Sequence, residues 1–181
     1  REALTMRKLS LPAPEVVVEW FAVANIGFLG VDILFAHAAN AFAAQAEWVP
    51  VVFSAVATPL LALGAAGARM RKLLGRLTIA LACAAIAVGI AGMLFHLKSA
   101  FFEIQTLHAL VYSAPFVAPL AYVGVGLLIL LSHVERPGSL EWATWVVLLA
   151  LGGLIGNLVL SLLDHAQNGF FRPVEWSAVI A

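Results

Sequence analysis

Long stretches of this chain carry no Asp, Glu, Lys or Arg, and that feature decides the solvent in which it folds. The hydrocarbon core of a bilayer, roughly 30 Å thick, takes about 20 residues of helix. Four charge-free runs reach that length, residues 49–68, 77–97, 109–132 and 142–163. A fifth apolar run, residues 16–42, is long enough but carries Glu19 near its start, Asp32 in its body and His37 near its end. The apolar residues run on without period-two alternation, which excludes a β-barrel. The expected fold is therefore an all-α integral membrane protein. Its five transmembrane helices form one bundle in a single domain, residues 1–181, with a C-terminal tail from 164 to 181.

Composition agrees. Hydrophobic residues make up 63% and charged residues 11% of the chain, with a mean hydropathy of +1.01, outside the range of a water-soluble domain. A formal net charge of zero gives no reason to expect nucleic acid as a partner. The lone cysteine, Cys83, lies within an apolar run, so an internal disulfide or a CxxC centre is excluded and packing is its expected role. The basic segment from Arg1 to Ser10 lacks the short apolar core and cleavage site of a signal peptide, and the first helix is expected to act as its own insertion signal.

Lys and Arg near span ends are retained in the cytoplasm. With the N-terminus inside, the inner side holds Arg1, Arg7, Lys8, Arg69, Arg71, Lys72, Arg76 and Arg136, against Lys98 and Arg172 outside. This places the N-terminus in the cytoplasm and the C-terminus on the periplasmic side of a bacterial inner membrane. Trp20, Trp48, Trp142 and Trp176 fall at span ends, where amphipathic rings anchor. Gly27 with Gly30, Gly89 with Gly92 and Gly153 with Gly156 are each three apart, a spacing that lets helices approach closely.

An internal repeat marks the outer face. Residues 37–48, HAANAFAAQAEW, align without a gap on residues 165–176, HAQNGFFRPVEW, with six of twelve positions identical. The repeat pairs His37 with His165, Asn40 with Asn168, Phe42 with Phe170, Glu47 with Glu175 and Trp48 with Trp176. A degenerate copy follows the third span, where Phe101 stands five residues after His96 and Glu103 adds a carboxylate. His108 opens the fourth span on the same side, so that only His133 faces the cytoplasm.

Imidazole and carboxylate at this density form the ligand set of copper, iron or zinc. Near a bilayer such groups are costly unless paired or metal-bound. The expected metal ligands are drawn from His37, His96, His108, His165, Glu47, Glu103 and Glu175, with at least three of the histidines sharing a mono- or dinuclear centre. Asn40, Asn168, Asp164, Asp32 and Tyr112 are the expected supporting residues, orienting ligands or carrying protons. Helix capping by Asn40 and Asn168 fits equally well. Polar stripes run along Asn25 and Asp32 in the first span and Asn157, Ser161 and Asp164 in the fifth. On the fourth, His108, Tyr112, Pro115, Pro119 and Tyr122 are spaced to share one face of a helix loosened by its prolines.

Glu-x-x-His and HExxH spacings are absent. The first functional expectation is a metal-dependent membrane oxidoreductase, alone or as a subunit of a larger complex or homo-oligomer, acting on a lipid-soluble small molecule or quinol. Haem b held by two of His37, His96, His108 and His165 is the main rival. Metal transport with Asp32 on the path and a metal-free structural subunit complete the alternatives. If the repeat is complete, the segment after Trp176 opens a sixth helix in a longer chain.

Overall fold

The computed structural model describes residues 12–180 apart from Ser99, Ala114 and Asn168. Among these the chain is helical throughout, without strands: α1 (Pro14–Ala38), α2 (Trp48–Ala65), α3 (Ala68–His96), α4 (Ala100–Ile104), α5 (Leu107–Tyr112), α6 (Leu120–Val134), α7 (Leu140–Gln167) and α8 (Ser177–Ile180), with short 3-10 turns at Gln45–Glu47 and Pro173–Trp176. Four segments are long and apolar enough to cross a membrane: Pro14–Ala38, Gln45–Ala65, Ala68–His96 and Leu140–Gln167.

The expected fourth span is different. Residues 109–132 do not form one helix; α5 ends at Tyr112, the chain turns through residues 115–119, and α6 begins at Leu120 with only 15 residues. Pro115 and Pro119 are the physical reason. Each lacks an N–H for the helical ladder, and each biases the residue before it away from α geometry. His108 and Tyr112 therefore belong to a different helix from Tyr122, and the continuous face expected along this span does not form. In α3 the helix starts nine residues before the expected span at residue 77, running through the basic segment Arg69–Arg76.

Helices α1, α2, α3 and α6 pack in a closed ring, α1 on α2, α2 on α3, α3 on α6 and α6 on α1. Their shared core is small-residue rich: Ala22 and Ile26 from α1, Ala57 and Leu61 from α2, Ala82 and Ala85 from α3, Tyr122 and Ile129 from α6. Large apolar side chains such as Phe28, Leu94 and Leu154 point outward instead. That inversion suits a lipid solvent, where helices associate by close contact of small residues.

Two crossings show this directly. A Cβ at Gly30 would lie 2.5 Å from the Ser54 Cβ, so α1 and α2 touch backbone to side chain there. A Cβ at Gly126 would lie 2.7 Å from the Ala82 carbonyl oxygen, and one at Gly89 2.8 Å from that of Pro119, which locks α3 against α6. Gly153 and Gly156 have nothing within 4 Å of such a Cβ, so the spacing noted on α7 serves no contact within the bundle. Helix α7 lies outside the ring against α6, its C-terminal end on α5, and Trp142 is its one buried residue among those described. At 4% exposed, Trp142 is tucked into the bundle, unlike Trp20, Trp48 and Trp176, which are open as interfacial anchors would be.

Among the described residues the core contains one polar link. The Ser54 and Tyr122 hydroxyls are 2.6 Å apart, and the Tyr122 hydroxyl donates to the Pro50 carbonyl at 3.3 Å. With the tyrosine proton directed to Pro50, Ser54 donates to the Tyr122 oxygen, and both buried hydroxyls are satisfied. Tyr122→Phe strands the serine proton and is expected to destabilise by about 1–3 kcal/mol, whereas adding Ser54→Ala should recover part of that loss. Detergent-denaturation curves of the two single variants and the double variant check this.

Candidate metal centre

The sequence repeat corresponds to two turns of closely similar geometry. At the end of α1, the Phe42 N–H donates to the His37 carbonyl at 3.1 Å; at the end of α7, the Phe170 N–H donates to the His165 carbonyl, also at 3.1 Å. This is the long backbone bond of a Schellman-type helix end. It needs left-handed backbone, found at Ala41 (φ 54°) and Phe42 (φ 50°) and again at Gly169 (φ 62°) and Phe170 (φ 51°).

Left-handed geometry costs roughly 1–2 kcal/mol at a residue with a side chain. Each phenylalanine is held in it by a stacked tryptophan. Phe42 lies on Trp48 with ring centroids 3.9 Å apart, and Phe170 on Trp176 at 4.2 Å. Such a pair contributes about 0.5–1.5 kcal/mol beyond the apolar area it covers. The recurrence of Phe and Trp at these positions thus has a local reason: they clamp the chain reversal that carries the glutamate back towards its histidine.

The first turn delivers that glutamate. His37 Nδ1 lies 3.4 Å from Glu47 Oε2, with both side chains about one-fifth exposed. Oε2 is buried and accepts no hydrogen bond, so the imidazole is its nearest compensation. The His96 ring, from the last residue of α3, stands edge-on to His37 with centroids 6.4 Å apart. His96 Nδ1 is 3.0 Å from the Pro115 carbonyl oxygen. A carbonyl only accepts, so Nδ1 carries the proton, and the lone pair of the neutral ring sits on Nε2. A carboxylate at His37 Nδ1 selects the same tautomer there.

The other expected ligands find different neighbours. His108, exposed in α5, packs at a tilt against the Tyr112 ring, with centroids 4.5 Å apart. Tyr112 donates to the Gln167 carbonyl at 3.1 Å, and Gln167 Nε2 donates to the Val111 carbonyl at 2.8 Å, which ties α5 to the end of α7. His165 faces Phe170, and Glu175 buries Oε2 without a hydrogen-bond partner. Glu103 and Asp164 are exposed. Among the described residues, no three His, Cys, Asp or Glu side chains stand together as a ligand set for one metal ion. Two of the four histidines meet, His37 and His96, instead of three or more.

Of the supporting residues, Asn40 lies beyond the end of α1 with its side chain exposed, and its backbone N–H caps the His37 carbonyl at 3.0 Å. Asp32 is exposed on the outer surface of α1, away from the Ile26 and Gly30 side that faces the bundle. Neither side chain touches the histidine pair. Asn168, the basic residues Arg1, Arg7 and Lys8, and the Phe101 side chain lie outside the described residues.

Sequence reasoning missed the Pro115 carbonyl, because a backbone acceptor leaves no mark on residue type. It also passed over the opposite end of the bundle. There Arg71 makes two bonds to Glu19 Oε2, at 2.7 and 3.0 Å. Glu19, Arg71, Thr78 and His133 line a cavity of about 20 Å³, room for a single water molecule.

Taken together, the structure is that of an all-helical protein with four helices able to cross a bilayer and a histidine pair at the end of the bundle remote from the Glu19–Arg71 ion pair. No family model, no curated protein and no solved structure matches this chain.

Proposed function

We propose that this chain is a multi-pass bacterial inner-membrane metalloprotein whose centre is built on His37 and His96 at the periplasmic boundary and serves oxidoreductase chemistry. One observation carries the reading: both imidazoles have Nδ1 engaged by an oxygen and Nε2 free, with their rings 6.4 Å apart. Metal-bound histidines are commonly oriented in this way, through a carboxylate or carbonyl on the other ring nitrogen. Glu47 in this reading orients His37 and raises its basicity, and the coordination positions left open admit an exogenous ligand. Copper, iron and zinc all accept imidazole. The location suits a lipid-soluble reductant such as a quinol. The excess of Lys and Arg at the other end supports a cytoplasmic N-terminus. The matched turns of α1 and α7 support an internal duplication in which only the first copy has a second histidine beside it.

Because two histidines meet and not three, haem b is the second reading, since axial ligation of its iron needs no further side chain. Elemental analysis of protein purified from native membranes, with a reduced-minus-oxidised spectrum, tests both. A transition metal near one per chain without sharp visible bands supports the first reading, and sharp alpha and Soret bands support the second. Protein with neither would overturn both.

A further inference from the structure

Helix α1 buries Ala22, Val23, Ile26 and Gly30 in the bundle and turns a second, unpartnered face outward. Along that face stand Phe21, Asn25, Phe28, Asp32 and Phe35, spaced 4, 3, 4 and 3 residues apart. Phe21, Phe28 and Phe35 are 57%, 73% and 70% exposed, and Asp32 is exposed as well. Residues at this spacing share one face of a helix, the face that a partner helix would meet along its length.

The polar members of the seam define the partner. An ionised carboxylate facing hydrocarbon costs at least about 2.5–3.5 kcal/mol, so Asp32 in a spanning α1 calls for a polar partner. Among the described residues it has no hydrogen-bond partner or counterion. Asn25 donates one N–H to the Phe21 carbonyl at 2.8 Å, leaving its second N–H and its oxygen. No Lys or Arg occurs within the charge-free runs of this chain to offer a cation at that depth. A protonated carboxyl and a primary amide are each donor and acceptor, so each is complementary to itself.

We propose that this face of α1 is a dimer interface, taken by α1 of a second copy of the chain. Two copies inserted in the same sense present their α1 helices in parallel. Asn25 then meets Asn25, Asp32 meets Asp32, and the three phenylalanines interdigitate around a twofold axis. A polar residue on the seam sets the register, because any slip leaves its hydrogen bonds unmade in lipid. The interface depends on α1 spanning the bilayer but not on the histidine pair.

The test uses the full chain in lipid vesicles with Cys83→Ser. Phe28→Cys on the seam is expected to cross-link into a dimer on oxidation with iodine, while Val56→Cys, also exposed but on α2, is not. Asp32→Leu or Asn25→Leu should lower the dimer yield at fixed protein-to-lipid ratio about tenfold. Asp32→Asn, which keeps a self-complementary group, should preserve it. Failure of Phe28→Cys to cross-link, equal cross-linking at Val56→Cys, indifference to the leucines, or loss with Asp32→Asn would each overturn the proposal.

Discussion

Replacing Gly126 with leucine is expected to separate α3 from α6 and to lower stability by about 3 kcal/mol or more, near the upper end of what overpacking costs. Even the first carbon of the new side chain would sit 2.7 Å from the Ala82 carbonyl oxygen and from the Ile86 Cγ1. A side-chain neighbour yields by rotating, whereas a helix carbonyl yields only by moving its helix. Gly89→Leu should act alike, since its Cβ meets the Pro119 carbonyl oxygen at 2.8 Å and the Val123 Cγ2 at 2.8 Å. Gly124→Leu and Gly156→Leu, where nothing lies within 4 Å of the added Cβ, are the controls and should be near neutral. Thermal or detergent unfolding of the four variants gives the comparison. The same displacement would part His96 from the Pro115 carbonyl that fixes its ring, so Gly126→Leu should also disturb the proposed metal site.

If His37 holds a metal as proposed, Glu47→Gln is expected to lower its affinity about 10- to 100-fold, the usual consequence of losing a carboxylate behind a ligating histidine. The amide preserves size and leaves the Phe42–Trp48 clamp in place, so stability should hold while affinity falls. The sign follows from electrostatics. A carboxylate 3.4 Å from His37 Nδ1 makes Nε2 a better electron donor, and a neutral amide does so far less. Glu175→Gln, in the matching turn of α7, should change affinity little, because no second histidine stands beside His165. Competition against a chromophoric chelator measures both variants.

Much of the fold was legible because a membrane span announces itself by the absence of charge: α7 covers its expected run, and α1, α2 and α3 cover most of theirs, ending one to four residues short. The fourth run failed for a reason that hydropathy does not register. Leu107–Tyr112, the turn after it and α6 are all apolar, so a break between them leaves no dip in hydrophobicity, and only Pro115 and Pro119 signalled it. Two prolines four apart suggest a kink in sequence; in the structure they separate two helices. Trp142 shows the same limit, since an aromatic at a span end looks like an interfacial anchor whether it faces headgroups or, as Trp142 does, packs into the bundle.

The site was legible as letters more than as geometry. The repeat identified His37, Glu47, Phe42 and Trp48 as a unit, and the turn that joins them explains why those types recur. Which histidines meet was not written in the spacing. His96 joins His37 because α3 and α1 end together in the ring of helices, while His165 sits on α7, outside that ring. Asp32 reads as an intramembrane carboxylate from sequence alone, but its direction depends on which face of α1 the bundle takes, and that is set by Ile26 and Gly30.

The histidine pair is tested most directly by metal content per chain in His96→Ala and His165→Ala beside the wild type, each purified from native membranes. A centre built on His37 and His96 predicts that His96→Ala loses the metal, whether a free ion or haem iron, while His165→Ala retains it at the wild-type level. Metal retained by His96→Ala, or lost equally from His165→Ala, would contradict it.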